Sequence, residues 1–578
     1  MKKKCFFSLL FLLSLVATSF AAPVANIDVF VAKTGSDTYG DGSENSPYHT
    51  LAHAVLRASS GQTVGLADGI YKENLIKVPQ GVSISSISQD ASKVIIRPTD
   101  RLGIGQPFFQ LSSPNPGSSG NQSVSYITLD GDVDGGGNAG RGVFVRNRND
   151  VRIHHCTIKD FGRVTYGGGI FIESTQDGKQ CRLRDYWPHD PGPPGDDSNF
   201  LTTPHPWPGN PVERFEFDHN AVISCGLDWD YDVPTPGRGY GQLNFWNVKD
   251  SNIHHNLLDN SKIGDHCIRG LGSCTALLWN VDFYSNDMRM KRRAHTHNFG
   301  FETWGHRGGC EVYNNTFDNI ALSITYGKET EVRNNTIIHH PYLNGACRSL
   351  GVEFTFQSYG KIDGNYIEGS HPTAISVGNA GLVNFWMTLN DVVISNNICV
   401  GASQFGIGVT AFEAKSIFDG FKIYNNVVAK GNDDSRLIGT GIKLDASDGS
   451  TLKNTEVANN IVIGGGWYAA RTLIRDGSTY SNNTIKNNLF YGNQHNSWLR
   501  DSAQNTVVLD PKFVGGTGAD AYKLRSSDSP AIGAGVPVPL TYDFAGNPFY
   551  KSHPSLGAYE YNETVISPPE NVKVTPIL

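Results

Sequence analysis

Short apolar–polar alternations, each opened by a glycine, recur along most of this chain. Gly169-Ile170-Phe171-Ile172-Glu173, Gly351-Val352-Glu353-Phe354-Thr355 and Gly441-Ile442-Lys443-Leu444-Asp445 share the pattern. Period-two alternation is the signature of a strand, with Ile170/Ile172, Val352/Phe354 and Ile442/Leu444 facing inward and the intervening residues outward. Between these runs, Asn-Asn or a close variant followed by an apolar pair returns at Asn220, Asn256, Asn286, Asn315, Asn335, Asn365, Asn397, Asn426, Asn460 and Asn488. The intervals are roughly 20 to 36 residues, within the range of stacked repeat architectures. An asparagine suits such a corner because its amide tolerates left-handed backbone angles and pairs with the next coil. The pattern predicts an all-β solenoid built coil upon coil.

Near the start, Val29-Phe30-Val31 reads as a strand. Thr50 then precedes Leu51, Ala54, Val55 and Ala58, an apolar stripe at helical spacing behind an N-cap residue. A solenoid exposes its core at each end, so this short helix is expected to cap the N-terminal end. Two stretches break the rhythm: a Pro-rich insertion over 177–214 with Trp187 and Trp207, and a segment over 226–239 carrying Asp228, Asp230 and Asp232. Long aromatic loops on a regular scaffold usually serve function. The three alternating aspartates would attract a hard cation, so calcium is the metal this spacing suggests, although acid–base cleavage of a glycan requires no cofactor.

The chain has 578 residues, of which 64 are glycine, with 39% hydrophobic and 18% charged residues. That composition describes a folded, loop-rich protein, and a solenoid can hold the length in one unit. The formal net charge of −7 offers no broad basic surface for nucleic acid or an anionic membrane. Lys2 to Lys4, the apolar run from Phe6 to Val16 and the small residues Ala21 and Ala22 predict a signal peptide over 1–21. The expected product is a soluble, monomeric, exported chain, periplasmic or extracellular, with a solenoid over 22–562 and a tail or linker over 563–578. No later stretch has the length and apolarity of a membrane span. Of nine cysteines, Cys5 belongs to the signal. Cys156 and Cys399 stand where other repeats carry apolar residues and read as buried thiols, while Cys267 with Cys274, or Cys181 with a neighbour, are candidates for bridging.

The opening Gly35-Ser36-Asp37 with Gly40-Asp41-Gly42, the segment Leu66-Ala67-Asp68-Gly69-Ile70-Tyr71, the Asn-Asn corners and the closing Gly557-Ala558-Tyr559-Glu560-Tyr561 resemble secreted bacterial proteins of the pectin-lyase-like superfamily. The resemblance covers nearly the whole mature chain and implies a right-handed parallel β-helix. That superfamily includes polysaccharide lyases, glycoside hydrolases, epimerases and non-catalytic surface proteins, so fold alone does not select the chemistry. The polygalacturonase set of Asn-Thr-Asp, Gly-His-Gly and Arg-Ile-Lys is missing.

Stacked in register, the Gly-led strands form one outward column through Phe171, Asn244, Arg269, Glu302, Ser323 and Glu353, and a second through Glu173, Trp246, Leu271, Trp304, Thr325 and Thr355. Glu302 and Glu353 then lie two rungs apart, roughly 10 Å between backbones. Side-chain lean would bring them within the ~6.5–9.5 Å used by inverting glycoside hydrolases. On this reading Glu302 and Glu353 are acid and base, Arg269 keeps one of them ionised, and Asn244, Trp246 and Trp304 meet the sugar. A basic, His-rich run beside the groove, with Lys291, Arg293, His297, His306 and Arg307, and with His266 one rung earlier, would bind acidic groups. It also supports an alternative, β-elimination from a uronate-containing glycan with Lys291 or a nearby histidine such as His297 as base. A further alternative is a non-catalytic glycan-binding or surface β-helix.

Overall fold

The computed structural model describes residues 26–103, 105–132, 140–162, 168–176, 179–180, 209–226, 241–261, 273–290, 299–340, 350–370, 372–378, 388–411, 415–430, 439–464, 466–499 and 503–562. Among the described residues nearly all strands stack in parallel, into one 28-stranded and one 14-stranded sheet with a small 4-stranded sheet beside the later coils, while Thr175–Gln176 and Lys179–Gln180 form a two-stranded antiparallel sheet. The largest sheet carries two faces. Gly168–Glu173 pairs with the front half of Leu243–His254, and Glu216–Asp218 pairs with its back half. Left-handed residues Asn247 and Asp250 lie between the halves and turn the strand from one face to the next. The 14-stranded sheet closes the third face.

Each coil sends apolar side chains inward from all three faces. In one coil these are Val352 and Phe354, then Ile362, then Ile367, all fully buried. Each such side chain contributes about 1.5–3 kcal/mol. The strand-leading glycines have a steric cause. A Cβ on Gly441 would lie 2.3 Å from Val462 Cγ1, on the third face, and 2.6 Å from the Ala469 carbonyl oxygen. On Gly351 it would lie 2.4 Å from the Ala374 carbonyl oxygen and 2.5 Å from Ile367 Cγ2. At these two coils closure brings third-face branched side chains against the start of the first face, and only glycine leaves room there.

The corner between the second and third faces holds the asparagine ladder at all ten expected positions. Asn335 Oδ1 accepts from both the backbone N–H and the Nδ2 of Asn315, each at 3.0 Å. Asn335 Nδ2 in turn donates to Asn365 Oδ1 at 3.0 Å and to the Val312 carbonyl at 2.8 Å. The left-handed angle belongs to the residue before: Asn314, Asn334, Asn425 and Asn459 have φ of 55°, 55°, 53° and 61°. The repeat pattern points to one asparagine for both roles, and the structure divides them between two. The Cys156 amide donates to Asn220 Oδ1 and so takes up the ladder's next position. Cys156, Cys310 and Cys399 are buried free thiols, and Cys225 is buried as well. Burial pushes Cys156 and Cys310 up to about 12, which leaves both protonated. Cys181 and Cys267 lie outside the described residues.

Helix Leu51–Arg57 covers the N-terminal end with Leu51, Ala54 and Val55 buried, and Thr50 Oγ1 accepts from the His53 N–H. Glu73, itself buried, accepts from the Leu51 N–H at 2.8 Å. At the other terminus the chain turns back. Leu524, Ala531, Leu556, Ala558 and Tyr559 pack on the outer side of the third face, against Ile398, Val427, Ile461 and Leu489. The closing Gly-Ala-Tyr-Glu-Tyr motif is part of this cover. Among the described residues no helix is long and apolar enough to cross a membrane.

Candidate functional site

Pairing along the first face fixes the outward columns. The first runs Asn244, Cys274, Glu302, Ser323, Glu353 and Ser376. The second runs Trp246, Ala276, Trp304, Thr325, Thr355 and Gly378. The expected columns hold except at one rung, where Cys274 and Ala276 occupy the places given to Arg269 and Leu271. The strand is Ser273–Tyr284. Only pairing with both neighbouring strands sets the register. Arg269 and His266 lie outside the described residues, as do Lys291, Arg293, His297, Asp228, Asp230 and Asp232.

Glu302 and Glu353 stand two rungs apart with Ser323 between them. Both are part-buried. Ser323 Oγ donates to Glu353 Oε2 at 2.7 Å and lies 3.3 Å from Thr325 Oγ1, which is 3.0 Å from Thr355 Oγ1. Three hydroxyls thus form a chain that holds one face of Glu353. Desolvation raises the Glu353 pKa, the Ser323 hydrogen bond opposes that, and the charge of Glu302 adds to the rise. The result is a carboxyl that keeps its proton above the ordinary carboxylate range. Ser323, Thr325 and Thr355 carry no role that the sequence alone suggests. Their signal was position, since all three fall in the columns that carry the glutamates.

Other expected contacts resolve differently. The Asn244 side chain is fully buried, with Nδ2 donating to the Ile170 and Gly241 carbonyls and Oδ1 accepting from the Gly241 N–H. It braces backbone instead of meeting a sugar. Trp246 is buried with Phe144 and Phe171 in a separate aromatic cluster, so its faces are not open platforms. His306 is also interior. A left-handed Gly305 shifts the alternation, the His306 ring meets the Thr303 and Thr330 hydroxyls, and burial pushes its pKa down to about 3. Such an imidazole is neutral and cannot serve an acidic ligand. Arg307 is exposed and its guanidinium lies 4.5 Å from the Trp279 ring centroid, beyond the Gly305 bend from Glu302. Trp304 holds its expected rung, between Ala276 and Thr325.

The right-handed beta helix region family matches residues 350–531. No curated protein shows significant sequence similarity to the chain. Among solved structures, the mannuronan C-5 epimerase AlgE6 A-module of Azotobacter vinelandii is 14% identical, with a TM-score of 0.31, covering 80% of this chain and 94% of that one. The catalytic unit of the GH87 alpha-1,3-glucanase from Streptomyces thermodiastaticus strain HF3-3 is 12% identical, TM-score 0.34, covering 83% and 71%. Pectate lyase Pel9A is 13% identical, TM-score 0.28, covering 93% and 98%. At these identities and scores the likenesses assign no chemistry, which rests on this chain's own side chains. Its parallel pairing, its stacked asparagine corner and the family match together identify the chain as a right-handed parallel β-helix protein.

Proposed function

We propose that the protein is an exported carbohydrate-active enzyme, a glycoside hydrolase whose polysaccharide substrate lies along the first face, with Glu353 as general acid and Glu302 as general base. The observation that carries this reading is the Glu353 carboxyl, bonded to Ser323 two rungs from Glu302, with its pKa raised by burial and by the neighbouring Glu302 charge. Ser323 donates to Oε2, which leaves the acidic proton on Oε1. That proton passes to the glycosidic oxygen as the bond to the anomeric carbon breaks. Glu302 takes a proton from a water whose oxygen attacks that carbon from the opposite side. Two rungs of separation, roughly 10 Å between backbones, suit a water between carboxylate and sugar, and hence inversion at the anomeric carbon. No metal is required for this chemistry. Export follows from the N-terminal basic and apolar segments.

The test is turnover of a panel of neutral and acidic glycans, with reducing ends and the absorbance of unsaturated uronates read together. Reducing ends without the chromophore support hydrolysis. Both signals together indicate β-elimination, and neither signal with retained binding indicates a binding module. Glu302→Gln and Glu353→Gln should each lower kcat by at least about a hundredfold. Near-wild-type turnover in either variant removes that residue from the mechanism.

A further inference from the structure

Away from the glutamates, three successive coils place two ligand-bearing residues directly before the ladder position: His154-His155 before Cys156, Asp218-His219 before Asn220, and His254-His255 before Asn256. Strand pairing aligns His154, Asp218 and His254 in one column. His155, His219 and His255 adopt left-handed φ of 54°, 55° and 55° and form the adjacent column. Their rings stack almost parallel, at 4.8 Å and 6° and then at 5.0 Å and 4°.

The two columns face each other through ligand atoms. His154 Nδ1 lies 3.0 Å from His155 Nδ1, Asp218 Oδ2 lies 2.9 Å from His219 Nδ1, and His254 Nδ1 lies 2.8 Å from His255 Nδ1. With metal–ligand bonds of about 2.0–2.1 Å, two atoms about 2.9 Å apart subtend a right angle at a shared ion. His155, Asp218 and His219 each offer a ligand atom, all within 4.8 Å of one another, and sharing one ion requires the His155 ring to turn out of the parallel stack, since two ligand atoms on one ion lie at most about 4.1 Å apart. Asp218 is fully buried, and Arg152 Nε and Nη2 fix both of its oxygens at 2.8 Å. That pairing aims the carboxylate but also spends part of its charge, so the imidazoles lead the ligand set. The corner opens on a groove of about 820 Å³ beside Asp90, Lys93 and Tyr126, which provides an entry path. Tyr126 stacks on His155 and begins the column without a second ligand atom. The three coils that follow put an imidazole in its place and set a partner atom opposite each one.

We propose that this corner is a binding site for a divalent transition-metal ion, with His155, Asp218 and His219 as its ligands. Nitrogen-rich donors of this kind favour zinc, nickel or copper(II) over calcium or magnesium. The site is independent of the glutamate pair and of the carbohydrate reading.

Tag-free mature protein, cleared of metal by chelator, is titrated calorimetrically with zinc and nickel chloride, and its copper(II) complex is recorded by electron paramagnetic resonance. One equivalent of ion with micromolar or tighter affinity, and nitrogen splitting in the copper spectrum, are expected. His219→Asn should weaken binding by at least about tenfold and simplify that splitting. Melting curves without metal report whether each variant folds, and His155→Gln carries the same expectation if His219→Asn does not. His255→Asn alters the stack outside the ligand set and should keep wild-type affinity. Absence of binding by the wild type at hundred-micromolar metal overturns the proposal. Unchanged binding in folded His219→Asn and His155→Gln, or an equal loss in His255→Asn, overturns the ligand set.

Discussion

A carboxyl held away from water beside a second carboxylate binds its proton more tightly than it would in an unfolded chain, and Glu353 is such a group. Between its unfolded and folded pKa values the native state holds the extra proton. The stability linked to this group is therefore fully present below the unfolded value and is lost as pH rises through the folded one. Glutamine carries no such charge and still accepts from Ser323. Glu353→Gln should consequently melt above wild type at about pH 8, with the gap closing by about pH 4, as followed by differential scanning calorimetry. A gap that stays constant with pH would mean that Glu353 is an ordinary solvated carboxylate. His306 shows how one residue's shift of alternation reverses a functional expectation. From sequence it reads as a flank of the Glu302 strand, yet the left-handed Gly305 turns its ring inside, onto Thr303 and Thr330.

At the scale of elements, doubled asparagine encodes two separate devices. In Asn425-Asn426 and Asn459-Asn460 the second residue joins the ladder. The first adopts the left-handed turn and reaches the C-terminal cover: Asn425 Nδ2 donates to the Ser555 and Gly557 carbonyls, and Asn459 Nδ2 to the Val536 carbonyl. The ladder was legible in sequence because it repeats. The division of labour was not, because the cover lies roughly a hundred residues away along the chain. Asn335→Ala removes an acceptor shared by two Asn315 donors, together with donors to Asn365 and Val312. Orphaned polar groups in a buried column should cost about 3 kcal/mol, measured as a lowered midpoint in urea unfolding. A shift no larger than that of an exposed Asn→Ala control would show that the ladder is dispensable there.

Across the whole molecule, stability depends on covering apolar sheet as well as filling the coil. The outer side of the third face presents Ile398, Val427, Ile461 and Leu489, and the returning segment buries them. Removing residues 511–578 would bare that strip along successive coils. The truncated chain should bind an apolar dye and elute as oligomers in size-exclusion chromatography, where the full chain elutes as one species. A monodisperse truncation that excludes dye would show the face to be self-sufficient. The same long-range geometry governs the candidate site, since its hydroxyl chain spans two coils and joins residues 30 positions apart.

The architecture is written in the sequence, because stacked repeats state their rule many times: the recurrent glycine ahead of first-face strands, the asparagine corner, the capping helix behind Thr50 and the two-rung spacing of Glu302 and Glu353. Tertiary structure alone decided the register at Cys274, the burial of Asn244, Trp246 and His306, and the Ser323 bond that holds Glu353. It also stacked the histidine-bearing corners of three successive coils into one column. The reason is that alternation states which way a side chain points relative to its own strand. What that side chain meets depends on the coils above and below it and on the segments that cover the face.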